Sequence, residues 1–165
     1  MKQQLSLLTF AQRFGIQLYD WQIDAFGQAC ERVDGRFRHR LAGISVPRGN
    51  GKSWAGSVVG LWTLITRHRA DVLSVALDLD GAKVILDHAK GLIRAHPVLA
   101  QGIEARADGL FKSAEHTSSR GRHPDLVLYD ECGWAKDDKV FSSLLAGRCS
   151  SDGHETVGHG AKCYG

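Results

Sequence analysis

The sequence predicts an α/β domain with a mostly parallel sheet. Two observations carry this: short β-prone runs alternate with longer segments of helical periodicity, and one such run leads through a glycine-bearing turn directly into a helix. The chain has 165 residues, enough for one domain with a sizeable core. Its 43% hydrophobic and 24% charged residues are those of an ordinary globular protein and exclude a disordered one. A net charge of +3, from 21 basic and 18 acidic residues, permits contact with nucleic acid without arguing for it. No run approaches the roughly 18–20 apolar residues of a membrane span. The start, Met1 to Phe10, is apolar too briefly for a signal peptide. Cys30, Cys132, Cys149 and Cys163 lack close-paired spacing, so an intracellular, reduced protein without a membrane partner is the expectation.

Taken in order, residues 20–33 predict a first helix, with Asp20 as N-cap and Phe26, Ala29, Cys30 and Val33 on its buried face. Leu41 to Val46 predicts a short buried strand. A second helix is expected from about Lys52 to His68, with Trp54, Val58, Leu61, Trp62 and Ile65 as its apolar stripe. Gly56 and Gly60 in that helix are expected to permit close approach to a sheet. Residues 72–77 predict a second strand. Asp80 is a candidate cap for a third helix, which places Ile85, His88, Ala89, Leu92 and His96 on one face and ends at Pro97. Residues 103–106 suggest a short strand, residues 118–122 a loop, and Leu126 to Tyr129 a strand ending in Asp130.

The chemistry starts with Val46-Pro47-Arg48-Gly49-Asn50-Gly51-Lys52-Ser53. A turn between a strand and a helix gathers backbone N–H groups and the positive end of the helix dipole at one point, which suits a polyphosphate. Gly49 and Gly51 let the backbone curl there. Lys52 can place its ammonium on the β- and γ-phosphates, and the Ser53 hydroxyl can ligate magnesium. Val46 stands where the G-x-x-x-x-G-K-[ST] pattern has its first glycine, so the motif is a variant of the P-loop. About 80 residues downstream, Asp130 and Glu131 close an apolar run and sit at the ligand-binding edge of an α/β sheet. Asp130 would hold the magnesium ion through its water shell. Glu131 would polarise an attacking water.

Three ordered segments, spanning roughly residues 14–148, resemble the ATPase domain of tailed-bacteriophage terminase large subunits. The phosphate loop looks like the family's PR-x-NGKS loop, Leu18-Tyr19-Asp20-Trp21-Gln22 resembles its adenine-binding segment, and residues 124–134 resemble its second motif, continuing into Phe141 to Gly147. The resemblance implies a RecA-like P-loop NTPase of the additional-strand class, binding ATP and Mg2+. It casts Gln22 as reader of the base edge, Tyr19 or Trp21 as neighbours of the base, and Arg48 as a charge stabiliser at the γ-phosphate beside the catalytic Lys52 and Glu131. It further implies double-stranded DNA, a terminase small subunit and a capsid portal as partners, a homo-oligomeric ring, and the cytoplasm of a bacterial host.

The resemblance also sets a contrast. The family's coupling strand and acidic nuclease domain have no counterpart in this sequence, and residues 149–165 turn abruptly to Gly, Ser and His. The expectation is a partial ATPase domain over residues 1–148 with an incomplete sheet, followed by a polar tail from a shifted frame in a prophage remnant. Cys149, His154, His159 and Cys163 in that tail carry metal-ligand chemistry, but their spacing matches no familiar zinc finger, and accident is the preferred reading. Two alternatives stay open: a helicase-like or other DNA-translocating ATPase, and a non-catalytic remnant that binds nucleotide without turnover. A GTPase is disfavoured because no Asn-Lys-x-Asp motif occurs.

Overall fold

The computed structural model describes residues 5–34, 36–104, 110–115 and 124–130. They form a mixed α/β structure in which helices cover a three-stranded parallel sheet. Helix α1 spans Leu7–Arg13 and α2 spans Asp20–Ala29. A small antiparallel hairpin follows, β1 (Arg32–Val33) with β2 (Arg36–Phe37). Helix α3 covers Lys52–Thr66, strand β3 Asp71–Ala76, helix α4 Leu79–Ala95 and helix α5 Pro97–Glu104. Strands β4 (Leu110–Glu115) and β5 (Leu126–Tyr129) both pair parallel with β3, giving the order β4-β3-β5. No helix among the described residues is long and apolar enough to cross a membrane.

Helix α3 is the centre of the packing. Every residue from Ala55 to Leu64 is buried, as expected of a helix enclosed on all sides. Leu61 and Val58 are fully buried in one cluster with Phe10 of α1, Phe26 of α2, Val72 of β3, and Ala89 and Leu92 of α4. Burying side chains of this size stabilises by about 1.5–3 kcal/mol each before entropy is charged. Alternation along the sheet then follows the pleat. Val72, Leu126 and Leu128 face that core, while Leu73, Val75, Val127 and Tyr129 form a second cluster. At the start of the sheet Asp125 fixes the register: its Oδ2 accepts from the Asp71 N–H (2.9 Å), its own N–H donates to the Asp71 carbonyl (2.8 Å), and Arg67 pairs with Oδ1 at 2.8 Å.

Several expectations need correction. Helix α2 stops at Ala29, four residues early, because the chain turns at Asp34 (φ +51°) to pair β1 with β2; Val33 is therefore half exposed and not on the buried face. The cap of α2 is Tyr19, whose N–H donates to Gln22 Oε1 at 2.9 Å, and the cap of α4 is Asp78, which accepts from the Gly81 N–H. Asp20 and Asp80 lie inside the first turns, where their charge still complements the dipole. Pro97 does not merely end α4 but opens α5, since a first-turn proline gives up no helical hydrogen bond. Residues 103 and 104 belong to α5; 105 and 106 lie outside the described residues.

The largest difference concerns residues 41–46, which form no strand. An apolar run becomes a strand only where a neighbour takes its N–H and C=O groups, and among the described residues none does so here. Leu41 is accordingly 46% exposed. Gly56 and Gly60 also divide. A Cβ on Gly60 would lie 2.5 Å from Phe111 Cε1, so its hydrogen lets α3 sit on β4. A Cβ on Gly56 would meet only Ile85 of α4 at an ordinary 3.5 Å, so Gly56 is not needed for approach to the sheet.

Candidate functional site

The turn before α3 bends through two left-handed glycines, Gly49 (φ +83°) and Gly51 (φ +76°). Asn50 closes it, donating from Nδ2 to the Pro47 carbonyl at 3.1 Å. Gly51 is the N-cap of α3 and no side chain caps the helix; the first backbone bond of the turn runs from the Ala55 N–H to the Gly51 carbonyl, at 3.0 Å. The N–H groups of the first turn thus keep their donors for an external acceptor. Lys52 and Ser53 are half-buried at this helix start, and Lys52 makes no ion pair among the described residues. Pro47 and Arg48 are exposed on the turn.

Strand β5 brings the acidic residue to the same point. Asp130 follows Tyr129, its N–H donating to the Val75 carbonyl at 2.9 Å, so the parallel pairing with β3 sets where the carboxylate emerges. The Ser53 hydroxyl donates to Asp130 Oδ2 at 2.6 Å across 77 positions of sequence. A hydroxyl and a carboxylate in contact beside a helix N-terminus are oxygen donors of the kind magnesium takes when it keeps most of its water shell. They fit such an ion, with Ser53 and Asp130 as its protein-side oxygens. Among the described residues no group of three or more His, Cys, Asp or Glu side chains is placed to hold a metal. Glu131 and the tail residues Cys149, His154, His159 and Cys163 lie outside the described residues.

Beside the loop opens a pocket of about 650 Å³, walled by Leu8, Ile16, Leu18, Tyr19, Ile23 and Trp54 and floored by Gly49, Gly51 and Gln22. Tyr19 is 69% exposed and stands at its rim. Gln22 is 1% exposed, and its amide is bonded to backbone: Nε2 donates to the carbonyls of Gly51 (3.0 Å) and Asn50 (3.3 Å), while Oε1 accepts from the Tyr19 N–H. Trp21, offered with Tyr19 as a neighbour of the base, packs instead toward Phe26 at 6.4 Å between ring centroids.

The structure therefore gathers Tyr19, Gln22, Pro47, Arg48, Gly49, Asn50, Gly51, Lys52, Ser53 and Asp130 around one loop. Sequence reasoning assigned Trp54 to the buried stripe of α3 and missed it as a pocket wall. Its ring is met edge-on by His88 of α4, at 5.8 Å and 84°. The signal available was its position two residues after Lys52, which turns a side chain on the first helical turn toward whatever lies beside the loop.

Away from this site, burial raises the Cys30 thiol to about 12, partly offset by the Arg32 charge. The Arg32 guanidinium lies 4.6 Å from the Phe37 centroid and 4.3 Å from that of Trp62; burial, then Arg67, lowers its pKa. Neither residue lines the pocket beside the loop. Comparisons of the chain with family models, with curated proteins and with solved structures gave no match.

Proposed function

We propose that the chain is the nucleotide-binding module of an ATP-driven DNA-packaging motor of the terminase large-subunit type, with a P-loop NTPase fold. The observation that carries the nucleotide reading is the 2.6 Å bond between Ser53 and Asp130, which joins a Gly-Lys-Ser helix start to the acidic end of a parallel strand. In this reading the first-turn N–H groups of α3 and the Lys52 ammonium take the β- and γ-phosphates of ATP. Ser53 and Asp130 hold Mg2+, which supplies charge neutralisation when bound. Arg48 stabilises charge at the γ-phosphate, and Glu131 orients the attacking water. The base occupies the apolar pocket beside Tyr19 and Trp54. The terminase assignment, with its DNA, small-subunit, portal and ring partners, rests on the resemblance of the three ordered segments alone.

A second reading has one observation in its favour. The segment entering the loop, residues 41–47, lies outside the sheet among the described residues, so the loop lacks the rigid strand support on which catalytic positioning depends. A module of this kind binds Mg-ATP without turning it over. One pair of measurements tests both readings. Mg-ATP raises the thermal midpoint of the purified chain under either reading, because a ligand of the folded state alone stabilises it. Phosphate release, with and without double-stranded DNA, then selects the motor over the binder. No shift at millimolar Mg-ATP rejects both.

A further inference from the structure

Resting on the nucleotide reading above, we infer that Gln22 positions the phosphate loop and does not read the base, so the site accepts nucleoside triphosphates with little selection among the bases. A primary amide has two N–H donors and a carbonyl oxygen with two lone pairs. Both donors of Gln22 are committed, to the carbonyls of Asn50 and Gly51, and the acceptor takes the Tyr19 N–H. The orientation is forced: turning the amide over would set its oxygen against two carbonyls and its NH2 against an N–H. At 1% exposure the side chain reaches the pocket only as part of its floor, with its NH2 group already held by backbone carbonyls.

The same bonds define what Gln22 does. In a planar trans peptide the carbonyl and the following N–H point in opposite directions. Holding the Asn50 and Gly51 carbonyls on the Gln22 side directs the N–H groups of Gly51 and Lys52 to the other side, toward the anion site at the start of α3. The fit is tight: a Cβ on Gly51 would lie 2.9 Å from Gln22 Nε2. Gln22 is thus a positioning residue for the polyphosphate.

The pocket supports the second half of the inference. Strong discrimination between bases needs a buried polar group that the wrong base leaves unpaired. The walls here are Leu8, Ile16, Leu18, Ile23 and the rings of Tyr19 and Trp54, which read flatness and size. The other two amides at the pocket, Gln12 and Gln17, are exposed, where water competes for each bond they make.

The test measures dissociation constants of the full chain for Mg-ATP, Mg-GTP, Mg-CTP and magnesium tripolyphosphate by calorimetry, in wild type and Gln22→Met. The expected result is ATP and GTP within about threefold of each other and CTP weaker through its smaller ring. Gln22→Met weakens ATP and tripolyphosphate by the same factor, on the order of tenfold, because the lost bonds act on the loop. A preference for ATP over GTP above about thirtyfold overturns the inference, as does a variant that weakens ATP while leaving tripolyphosphate unchanged. Should Gln22→Met lose its far-ultraviolet helix signal, the wild-type selectivity decides alone. Wild type that binds none of the four probes overturns the nucleotide reading itself, a different outcome from binding ATP selectively.

Discussion

Ser53 Oγ donates to Asp130 Oδ2 at 2.6 Å, tying the first turn of α3 to the end of β5. Ser53→Ala removes the donor and leaves a partly buried carboxylate short of one bond, at a cost of about 1–3 kcal/mol. The larger effect is on the ligand: the midpoint rise produced by Mg-ATP shrinks severalfold in Ser53→Ala, while the rise produced by ATP with excess chelator is unchanged from wild type. Scanning calorimetry with and without EDTA reads both. Equal Mg-ATP shifts in variant and wild type would remove Ser53 from the metal-binding role.

Lys52 stands at the helix start without an ion pair among the described residues, so little of the fold depends on its charge. Lys52→Ala keeps the unliganded stability within about 0.5 kcal/mol of wild type, the range of ordinary surface substitutions. It nevertheless abolishes the stabilisation by Mg-ATP. A variant that loses stability and retains nucleotide binding would show the reverse assignment.

Gly60 and Gly56 occupy the same helix and give opposite predictions. Gly60→Ala drives a methyl to 2.5 Å from the Phe111 ring and destabilises by about 1–3 kcal/mol despite the better helix propensity of alanine. Gly56→Ala meets Ile85 at 3.5 Å and gains up to about 1 kcal/mol. Urea titrations of the two single variants check the contrast. Phe111→Leu combined with Gly60→Ala recovers part of the loss, since the two residues share one contact.

Cys30 gives a pH signature with a definite sign. Its folded pKa is raised from the model-compound value of 9.0 to about 12, first by burial, with Arg32 opposing. The folded state therefore favours the thiol, and that stability is complete below pH 9 and lost as the pH climbs from 9 toward 12. Wild type should lose more stability between pH 8 and pH 10 than Cys30→Ala does, measured by urea unfolding at each pH. In the same range the peptide bearing Cys30 resists alkylation in the native protein and reacts on unfolding, because the thiolate is the nucleophile. Parallel pH profiles for the two proteins would contradict the buried thiol.

Much of this architecture was legible before any coordinate. The stripe from Trp54 to Ile65 and the face through Ile85, Ala89 and Leu92 are periodic enough to declare α3 and α4, and Leu126 to Tyr129 declared β5. The seven-residue α1 is too short to announce itself by periodicity. Strand β4, Leu-Phe-Lys-Ser-Ala-Glu, lacks apolar alternation and owes its state to the edge of β3, which accepts it register for register from Asp71 to Ala76.

The turn before α3 shows the same division. Its residue types and order, Gly49, Gly51, Lys52 and Ser53, are local facts, since left-handed turns and helix starts are governed by neighbours in the chain. Three things depended on contacts between distant positions and so on the tertiary structure alone. Asp130 meets Ser53, Gln22 spends its amide on the loop backbone, and residues 41–46, apolar as any strand, stay outside the sheet. Hydrogen bonds between remote groups are the reason: local sequence sets which donors and acceptors a segment carries, and only the packed fold sets which of them find partners.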